Sequence, residues 1–430
     1  MRRAARLLPA SSLVAFVLCA ILAVPARAAP GDLDPTFSHN GSVVTSFANS
    51  YSVATDLALQ ADGRSVVVGP VHPNDTVLSD FGITRYTTSG KLDRTFSGNG
   101  RRRVDIGGRF EQATAVAVQA NGRIVMVGNA SGVGAVIRLM PDGTLDTSFS
   151  ADGRRLIGFT SVGDVAIQAD RRIVVAGSNG PDFALMRLLP RGGRDMTFGT
   201  GGIVHTDFAG YGDAATTVAI SPDGAIVAGG WATIVPEQRT DFALARYLPG
   251  GTPDPGFGGD GLVTTDFLSW EDAITDLVLE PSGSIVAAGQ ASDDPGGADQ
   301  SSDVGIARYL PSGAPDEAFG DAGTVTTDLG SYFDQAHGVA LQEDGKIVVS
   351  SHRYADGVRT AAVARYETDG DLDGSFGEGG IADTGRLVSG DEVGGVVVEA
   401  GGGIVSATAA QVPAEIGTTF AFLVLRLQGG

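Results

Sequence analysis

Short apolar runs, four to a unit, repeat along the chain. One unit holds AVAVQ (115–119), RIVMVG (123–128), GAVIRLM (134–140) and RRLIGF (154–159). Runs of this length, rich in β-branched residues and bounded by turn formers, predict strands. The first two are joined by Asp62-Gly63, Asn121-Gly122, Asp223-Gly224, Ser282-Gly283 and Asp344-Gly345. Such pairs supply the positive φ of a two-residue hairpin. Asp170-Arg171 departs from the pattern and predicts a strained turn. The first and second runs are apolar throughout, as where a sheet is covered on both faces. Ala113, Ala115 and Ala117 suit a narrow space near a central axis. The fourth run is mixed (GRRRVDI, GLVTTDF, TVTTDL) and fits an outermost strand whose edge must discourage pairing. The order within a unit is therefore A, B, C, D from inside out.

The C–D connection carries Gly-x-x-Asp-x-x-Phe-x-x-x-Gly, with copies starting at Gly31, Gly90, Gly143, Gly192, Gly251, Gly313 and Gly370. A period near sixty with four strands per unit predicts a propeller. The first copy leads into a D strand (Val43–Phe47) with no A, B or C before it. The last unit offers A (Val396–Val398), B (Ile404–Ala407) and C (Phe422–Leu427) and no D. The chain thus predicts an all-β fold, a seven-bladed β-propeller of four antiparallel strands per blade, with the N-terminal strand completing the C-terminal blade. Residues 29–430 form its single domain. Strand C carries Arg85, Arg138, Arg187, Arg246, Arg308, Arg365 and Arg426. Six are followed eight residues later by the motif aspartate, from Asp93 to Asp373. Arg426 has no downstream aspartate and Asp34 no upstream arginine, so closure predicts that they pair.

The start of the chain reads as an export signal. Arg2, Arg3 and Arg6 precede an apolar stretch from Leu13 to Val24, and Ala26-Arg27-Ala28 is a cleavage signature. Residues 1–28 are predicted to be removed, with the product secreted or held at the cell surface. Cys19, the one cysteine, leaves with them. The formal net charge of −20 becomes more negative, because Arg2, Arg3, Arg6 and Arg27 go and no acid does. Such acidity is repelled by phosphate backbones, so no nucleic-acid partner is expected. No membrane insertion is expected after signal removal.

The segments GTPDPGFGGDGLVTTDF, VALQEDGKIVV and DFALARYLP resemble the delta-60 repeat family of bacterial β-propellers, over residues 31–430. That resemblance implies an exported or cell-surface propeller and transfers no catalytic residue. Unit seven departs most, with Ala400-Gly401-Gly402-Gly403 at its turn and Ala421 where other units have Asp182 or Asp241.

Chemical motifs are few. Gly256-Phe257-Gly258-Gly259-Asp260-Gly261 fits a dinucleotide loop, but a strand follows it where a helix is needed. Asp369 to Gly374 resembles a calcium loop whose twelfth position is Gly380 in place of glutamate. The five histidines (His39, His72, His205, His337, His352) lack zinc-pair spacing. Arg101 to Arg103 and Arg154-Arg155 fit edge protection better than a polyanion stripe. No catalytic residue, cofactor or metal site is predicted.

Residues repeated in every unit serve stacking, so function is expected where the symmetry breaks. The A–B and C–D turns share one uniform face, while the B–C and D–A loops share a variable one. On the variable face Tyr211, Trp231 in a B–C loop, Trp270 and Tyr332 gather with Asp213, Glu271, Asp272 and Asp334. Aromatics with hydrogen-bonding acids suit a neutral glycan or a cationic protein surface. A competing reading has Tyr51, Phe110, Tyr211, Trp270 and Phe333 as wedges between blades. The expected function is a monomeric, non-catalytic binding or adhesion scaffold for a glycan or protein partner. The alternatives are an extracellular polysaccharide-acting enzyme with loop-borne carboxylates, or a structural envelope component.

Overall fold

The computed structural model describes residues 28–430 apart from 48–49, 74–77, 236–238, 268–270, 293–300, 331–332, 356 and 414–417. The predicted signal lies outside the described residues. Twenty-eight strands and no helix occur among them. They pair antiparallel, nearly all between neighbours in chain order, the exceptions being the first strand with the last and Ser50–Ser52 with Ser65–Pro73. Unit 2, for example, runs Glu111–Val118, Ile124–Ala130, Val133–Leu139 and Arg154–Ile157 as strands A to D. Units 3, 4 and 5 begin at Ser161, Asp213 and Ala273 and form sheets of the same order. Unit 1 differs in that its strand A is split into Ser50–Ser52 and Asp56–Leu59.

One seven-stranded sheet joins units 6 and 7. Its cause is the strand Ile381–Val398. The first part pairs with strand C of unit 6 (Ala364↔Ile381). The last part pairs with strand B of unit 7 (Val398↔Ile404). The D strand of one unit therefore runs on into the A strand of the next without a break. Strand C of unit 7, Thr418–Leu427, pairs on its other edge with Ser42–Thr45 from the start of the chain. The register sets Val43 against Val424. This strand is shorter than the predicted Val43–Phe47, and Phe47 turns inward onto Phe422 at 5.2 Å between ring centroids.

Among the described residues apolar side chains form seven clusters, each between two neighbouring units. One joins Phe81 and Ile83 of unit 1 to Val116 and Met126 of unit 2. Another joins Phe422 and Val424 of unit 7 to Leu57 and Val67 of unit 1. B strands are buried throughout, as in Ile173–Asn179. A strands are only half-buried, as in Ala273–Leu279. The sequence suggests burial on both faces for A as well. A strands stand at the end of their sheets with a ladder partner on one side only, which leaves them partly uncovered even though they approach one another closely around the inside. A Cβ on Gly163 would meet the Thr216 carbonyl oxygen at 2.6 Å. Thr55 and Thr275 bridge the same gap, donating to the carbonyls of Ala113 and Ala336 at 2.9 and 2.7 Å.

The A–B turns are three-residue connections, one longer than the dipeptides suggest. Gly63 N donates to Gln60 O and Gln60 N to Arg64 O. That is a type I turn closed by a left-handed residue, Gly63 at φ 79°. Arg171 takes the same place at φ 69°, as the predicted strain requires.

At the C–D corner every strand-C arginine meets its aspartate. Nε to Oδ2 distances are 2.8 Å for Arg85–Asp93, Arg138–Asp146, Arg187–Asp195 and Arg308–Asp316. Arg246–Asp254 is looser at 3.2 Å. Arg426 reaches Asp34 at 2.6 Å through its second terminal nitrogen. The guanidinium also lies on the motif phenylalanine, as with Arg187 at 4.5 Å from the Phe198 centroid. Its remaining donor enters the next unit. Arg138 donates to Pro190 O, Arg246 to Pro311 O, Arg365 to Gly429 O and Arg426 to Thr88 O. One arginine thus fixes its own corner and grips its neighbour.

Candidate functional site

On the variable face an acidic triple recurs at the junctions between units. Asp80, Asp105 and Glu111 bring one oxygen each within 4.8 Å of one another. Asp241, Asp266 and Asp272 do the same, as do Asp303, Asp328 and Asp334. The first acid lies within the first three residues of strand C, the second directly follows strand D, and the third stands at the start of the following A strand or up to four residues before it. Asp182, Asp207 and Asp213 repeat these offsets between units 3 and 4. In each triple the second acid is exposed and the third buried.

The buried acid folds the D–A loop by accepting backbone amides. Asp213 takes those of Phe183 and Phe208. Asp272 takes Phe267 N at 2.8 Å and Asp334 takes Leu329 N at 2.7 Å. Glu111 takes those of Ile106 and Gly108. The same residues are clamped to the preceding unit through their own amides, Asp213 N to Pro181 O at 2.8 Å and Asp334 N to Ser302 O at 2.7 Å. Burial pushes the Glu111 and Asp213 carboxyls up, with the neighbouring acids adding to it. Asp241 is pushed up to about 6 by burial and by the charges of Asp266 and Asp272.

Aromatics stand beside these triples. Phe110 is 57 % exposed, Phe333 44 % and Tyr211 42 %. They are not wedges between blades, because the backbone clamp fills that place. Among the described residues of this set Tyr51 alone is half-buried, edge-on to His72 and Phe420. Trp231 is in a strand and not in the predicted loop, since the B and C strands of unit 4 extend to Val235 and start at Arg239. It faces Ala214 and Phe242 in register. A Cβ on Gly212 would lie 3.9 Å from its ring, so the indole covers Gly212. The register puts Trp231 on the sheet face of Ala214 and Phe242, and Asp213 on the other face, toward unit 3. Glu271 is exposed and bridges to Thr240. Trp270 and Tyr332 lie outside the described residues.

Of the predicted residues, Asp213, Asp272 and Asp334 have carboxylates committed to loop amides. The accessible acids are their partners, Asp105, Asp207, Asp266 and Asp328, which sequence reasoning passed over. Their signal was present. The second acid lies 25 residues after the first and 6 before the third in all four triples.

The uniform face carries cavities. One of about 760 Å³ is lined by the A-strand ends of units 5, 6 and 7, including Val278, Leu341 and Val398. Another of about 610 Å³ lies between units 1 and 2, around Gln60, Gln119 and Arg85. Deeper inside, Asp56, Asp164 and Asp276 line alternate A strands. Each accepts an amide of the following unit, from Val116, Val218 and Val339 at 2.7, 2.8 and 2.9 Å. Thr217 donates to both Asp164 and Asp276, at 3.4 and 3.2 Å.

The remaining motifs serve the scaffold. Gly258, Gly259 and Gly261 all have positive φ in the corner turn. Asp373, in the calcium-like stretch, is held by Arg365 and Lys346 at 2.7 and 2.8 Å. Arg102 donates to Gly143 O, and Arg103 pairs with Asp80.

No curated protein matches the chain. Solved structures of similar shape include a catalytically inactive virginiamycin B lyase from Staphylococcus aureus with quinupristin, at 11 % identity, covering 89 % of this chain and 99 % of that one, TM-score 0.44. A polysaccharide lyase, an ulvan lyase, shares 10 % identity over 88 % of this chain and 95 % of its own, TM-score 0.49. A Lactobacillus plantarum protein shares 14 % over 89 % and 98 %, TM-score 0.46. Likenesses this distant say nothing of chemistry. The repeats themselves are more specific: residues 119–149, 168–198, 221–257, 280–319 and 342–376 match the family described as a domain of unknown function (DUF5122) beta-propeller, which supports membership of a β-propeller repeat family.

Proposed function

We propose that the chain is an exported, monomeric seven-bladed β-propeller, closed by its N-terminal strand, that acts as a non-catalytic binding scaffold for a glycan or protein partner. Three contacts support closure: the pairing of Ser42–Thr45 with strand C of unit 7, the Asp34–Arg426 ion pair, and the apolar cluster shared by units 7 and 1. Export rests on residues 1–28, and sequencing the secreted product from its N-terminus should begin at Ala29.

The binding reading rests on one observation. Tyr211 is exposed two residues before Asp213, at the start of a paired strand, and Gly212 between them lies against the indole of Trp231. Aromatic faces held in place recognise sugar faces or apolar and cationic side chains at small entropic cost. A glycan and protein-partner binding screen on the secreted protein tests it. Tyr211→Ala should weaken any ligand found while leaving the melting temperature nearly unchanged. Full affinity in both Tyr211→Ala and Trp231→Ala would remove this site.

Asp241 supports a second reading. A carboxyl pushed up to about 6 beside two further carboxylates is an arrangement that acid–base chemistry uses. Release of reducing ends from a polysaccharide, abolished by Asp241→Asn, would favour an enzyme.

A further inference from the structure

On the uniform face each seam between units sets the second residue of a D strand with the residue before the next motif aspartate. Val43 with Leu92 and Ala382 with Leu33 fill two seams, each pair in one apolar cluster. Three more have valine with proline or leucine. Between units 1 and 2 the positions are Arg102 and Leu145, and Arg102 donates to Gly143 O at 2.8 Å. At the seam of units 2 and 3 both positions are arginine, Arg155 and Arg194. The register sets Arg155 opposite Val136, on the sheet face turned to unit 3. Edge protection, the expectation for this residue, does not account for a side chain turned into a seam. Its Nε is buried without a hydrogen-bond partner. Among the described residues neither arginine pairs with a carboxylate. Asp195, next to Arg194 in the chain, is held by Arg187 at 2.8 Å and Arg172 at 3.0 Å. Burial and the charge of Arg194 lower the Arg155 guanidinium from its ordinary range. Two unpaired cations at a packing position are costly unless an anion joins them.

Unit 3 carries a second departure. Six A–B turns have glycine at the left-handed place, and Arg171 takes it here at φ 69°. Strain of this kind persists where function needs it. Arg172 ties that turn to the corner through Asp195. Exposed Arg191 stands in the corner where unit 2 has Asp142.

We propose that this row of arginines across unit 3 binds an acidic polysaccharide, one of whose anionic groups enters the seam between Arg155 and Arg194. The proposal takes the export reading for its setting and uses no residue of the Tyr211 site. A planar guanidinium meets a carboxylate or sulfate with two parallel hydrogen bonds. An anion in the seam pairs charges that the protein itself leaves unpaired, which selects an acidic sugar over a neutral one. The row runs from the seam through Arg191 to the A–B turn at Arg171, so it fits charges repeated along a chain better than one small ion. A stiff sugar chain also loses less freedom on a rigid surface than an acidic peptide does. Exposed Met196 and Leu189, each two residues from an arginine of the row, offer adaptable apolar surface to the ring carbons. The overall charge of −20 does not oppose this at physiological salt, since exposed charges beyond about 8–10 Å are screened.

The test uses the protein produced from Ala29 onward and fluorescent polygalacturonate and dextran sulfate, by anisotropy at physiological ionic strength, with neutral dextran as the blank. Saturable binding of either polymer supports the proposal, and the tighter one names the anion. Arg155→Val with Arg194→Leu installs the apolar pair of the other seams and should weaken binding about tenfold or more. The bound polymer should raise the melting temperature of the wild type and not that of this variant. Arg171→Gly should weaken binding about two- to fivefold without loss of stability. Lys91→Gln with Arg94→Gln removes two exposed charges from the same face of unit 1 and should change affinity less than about twofold. Equal weakening by that control would reduce the effect to net charge and overturn the proposal. So would an equal rise in melting temperature in the seam variant, or tighter binding of poly-glutamate or oligodeoxythymidylate than of both polysaccharides. No saturable binding by the wild type would overturn it and leave the Tyr211 reading standing, since Tyr211→Ala should not alter affinity for these polymers. Should the seam variant not fold, Arg194→Leu and Arg171→Gly decide, and unchanged affinity in both would overturn it.

Discussion

Arg426 Nε donates to Asp34 Oδ2 across 2.8 Å, joining side chains 392 positions apart. The same hydrogen bond occurs in five other units between residues eight apart, and Arg246 and Asp254 make a looser ion pair at 3.2 Å in unit 4. Burial alone would raise the Asp34 carboxyl, but hydrogen bonds from Thr36 and the Arg426 charge outweigh it and hold it below the ordinary range. Asp34→Ala should therefore destabilise the protein much as Asp146→Ala does, by about 3–5 kcal/mol for one partner of a largely buried pair. Deleting residues 29–49 should cost more, or drive association, because it exposes two strand edges. Thermal melts with light scattering check both. A monomeric deletion variant with an unchanged melting temperature would deny the closure.

Arg246 and Asp254 offer a graded comparison. Their pair is longer and their side chains are 16 % exposed, against 7 % and 4 % for Arg187 and Asp195. A double-mutant cycle on Arg246→Ala and Asp254→Ala should give a coupling of about 1 kcal/mol, with a larger one at Arg187 and Asp195. Zero coupling at both would mean that the constant spacing reflects register alone.

In units 1, 4, 5 and 6 a tyrosine ties the unit to the D strand of the one before, and units 2, 3 and 7 have leucine there. Tyr309 bonds Thr265 at 2.7 Å and Tyr247 bonds Thr206 at 2.6 Å. Tyr86 does the same to Thr45, which belongs to the N-terminal strand. Tyr86→Phe should cost about 1 kcal/mol, as should Tyr309→Phe, measured by urea unfolding. A cost at Tyr309 and none at Tyr86 would show that the N-terminal strand is not seated.

The inner aspartates give the stability a pH dependence. Burial pushes Asp164 up to about 7 and Asp276 up to about 6. A raised carboxyl holds its proton in the folded chain at pH values where the unfolded chain has released it. Its contribution is full below about pH 4 and is lost as the pH rises through 6 to 7. The corner aspartates, including Asp93 and Asp195, are lowered and act oppositely, contributing above about pH 4 and failing below it. Asp164→Asn should flatten the fall in urea midpoint between pH 5 and 8. An unaltered slope would contradict the assignment.

Most of the fold was legible because stacking demands the same residues everywhere. The Gly-x-x-Asp-x-x-Phe motif, the strand-C arginine and the unpaired ends at Asp34 and Arg426 are local signals, and the contacts they imply are present. Side-chain exposure was less legible. Phe110 and Phe333 read as wedges by position, yet the backbone bridges of Ser79 to Phe110 and Ser302 to Phe333 occupy the seam and leave the rings outside. Trp231 read as a loop residue because a hairpin's length depends on its partner strand. The accessible acids were hidden by their wide spacing. Asp182 and Asp207 are 25 residues apart and share a junction with Asp213 only once strands C, D and the next A are assembled.

The N-terminal strand is tested most directly by a crosslink at its register. Val43 and Val424 face each other, and Cys19 is the one cysteine of the chain, so a protein produced from Ala29 onward carries no other thiol. The variant Val43→Cys with Val424→Cys should oxidise to a monomer whose disulfide peptide joins the two ends, and its melting temperature should rise. Free thiols after oxidation, or disulfides found only between molecules, would contradict the closure of the fold by its own first strand.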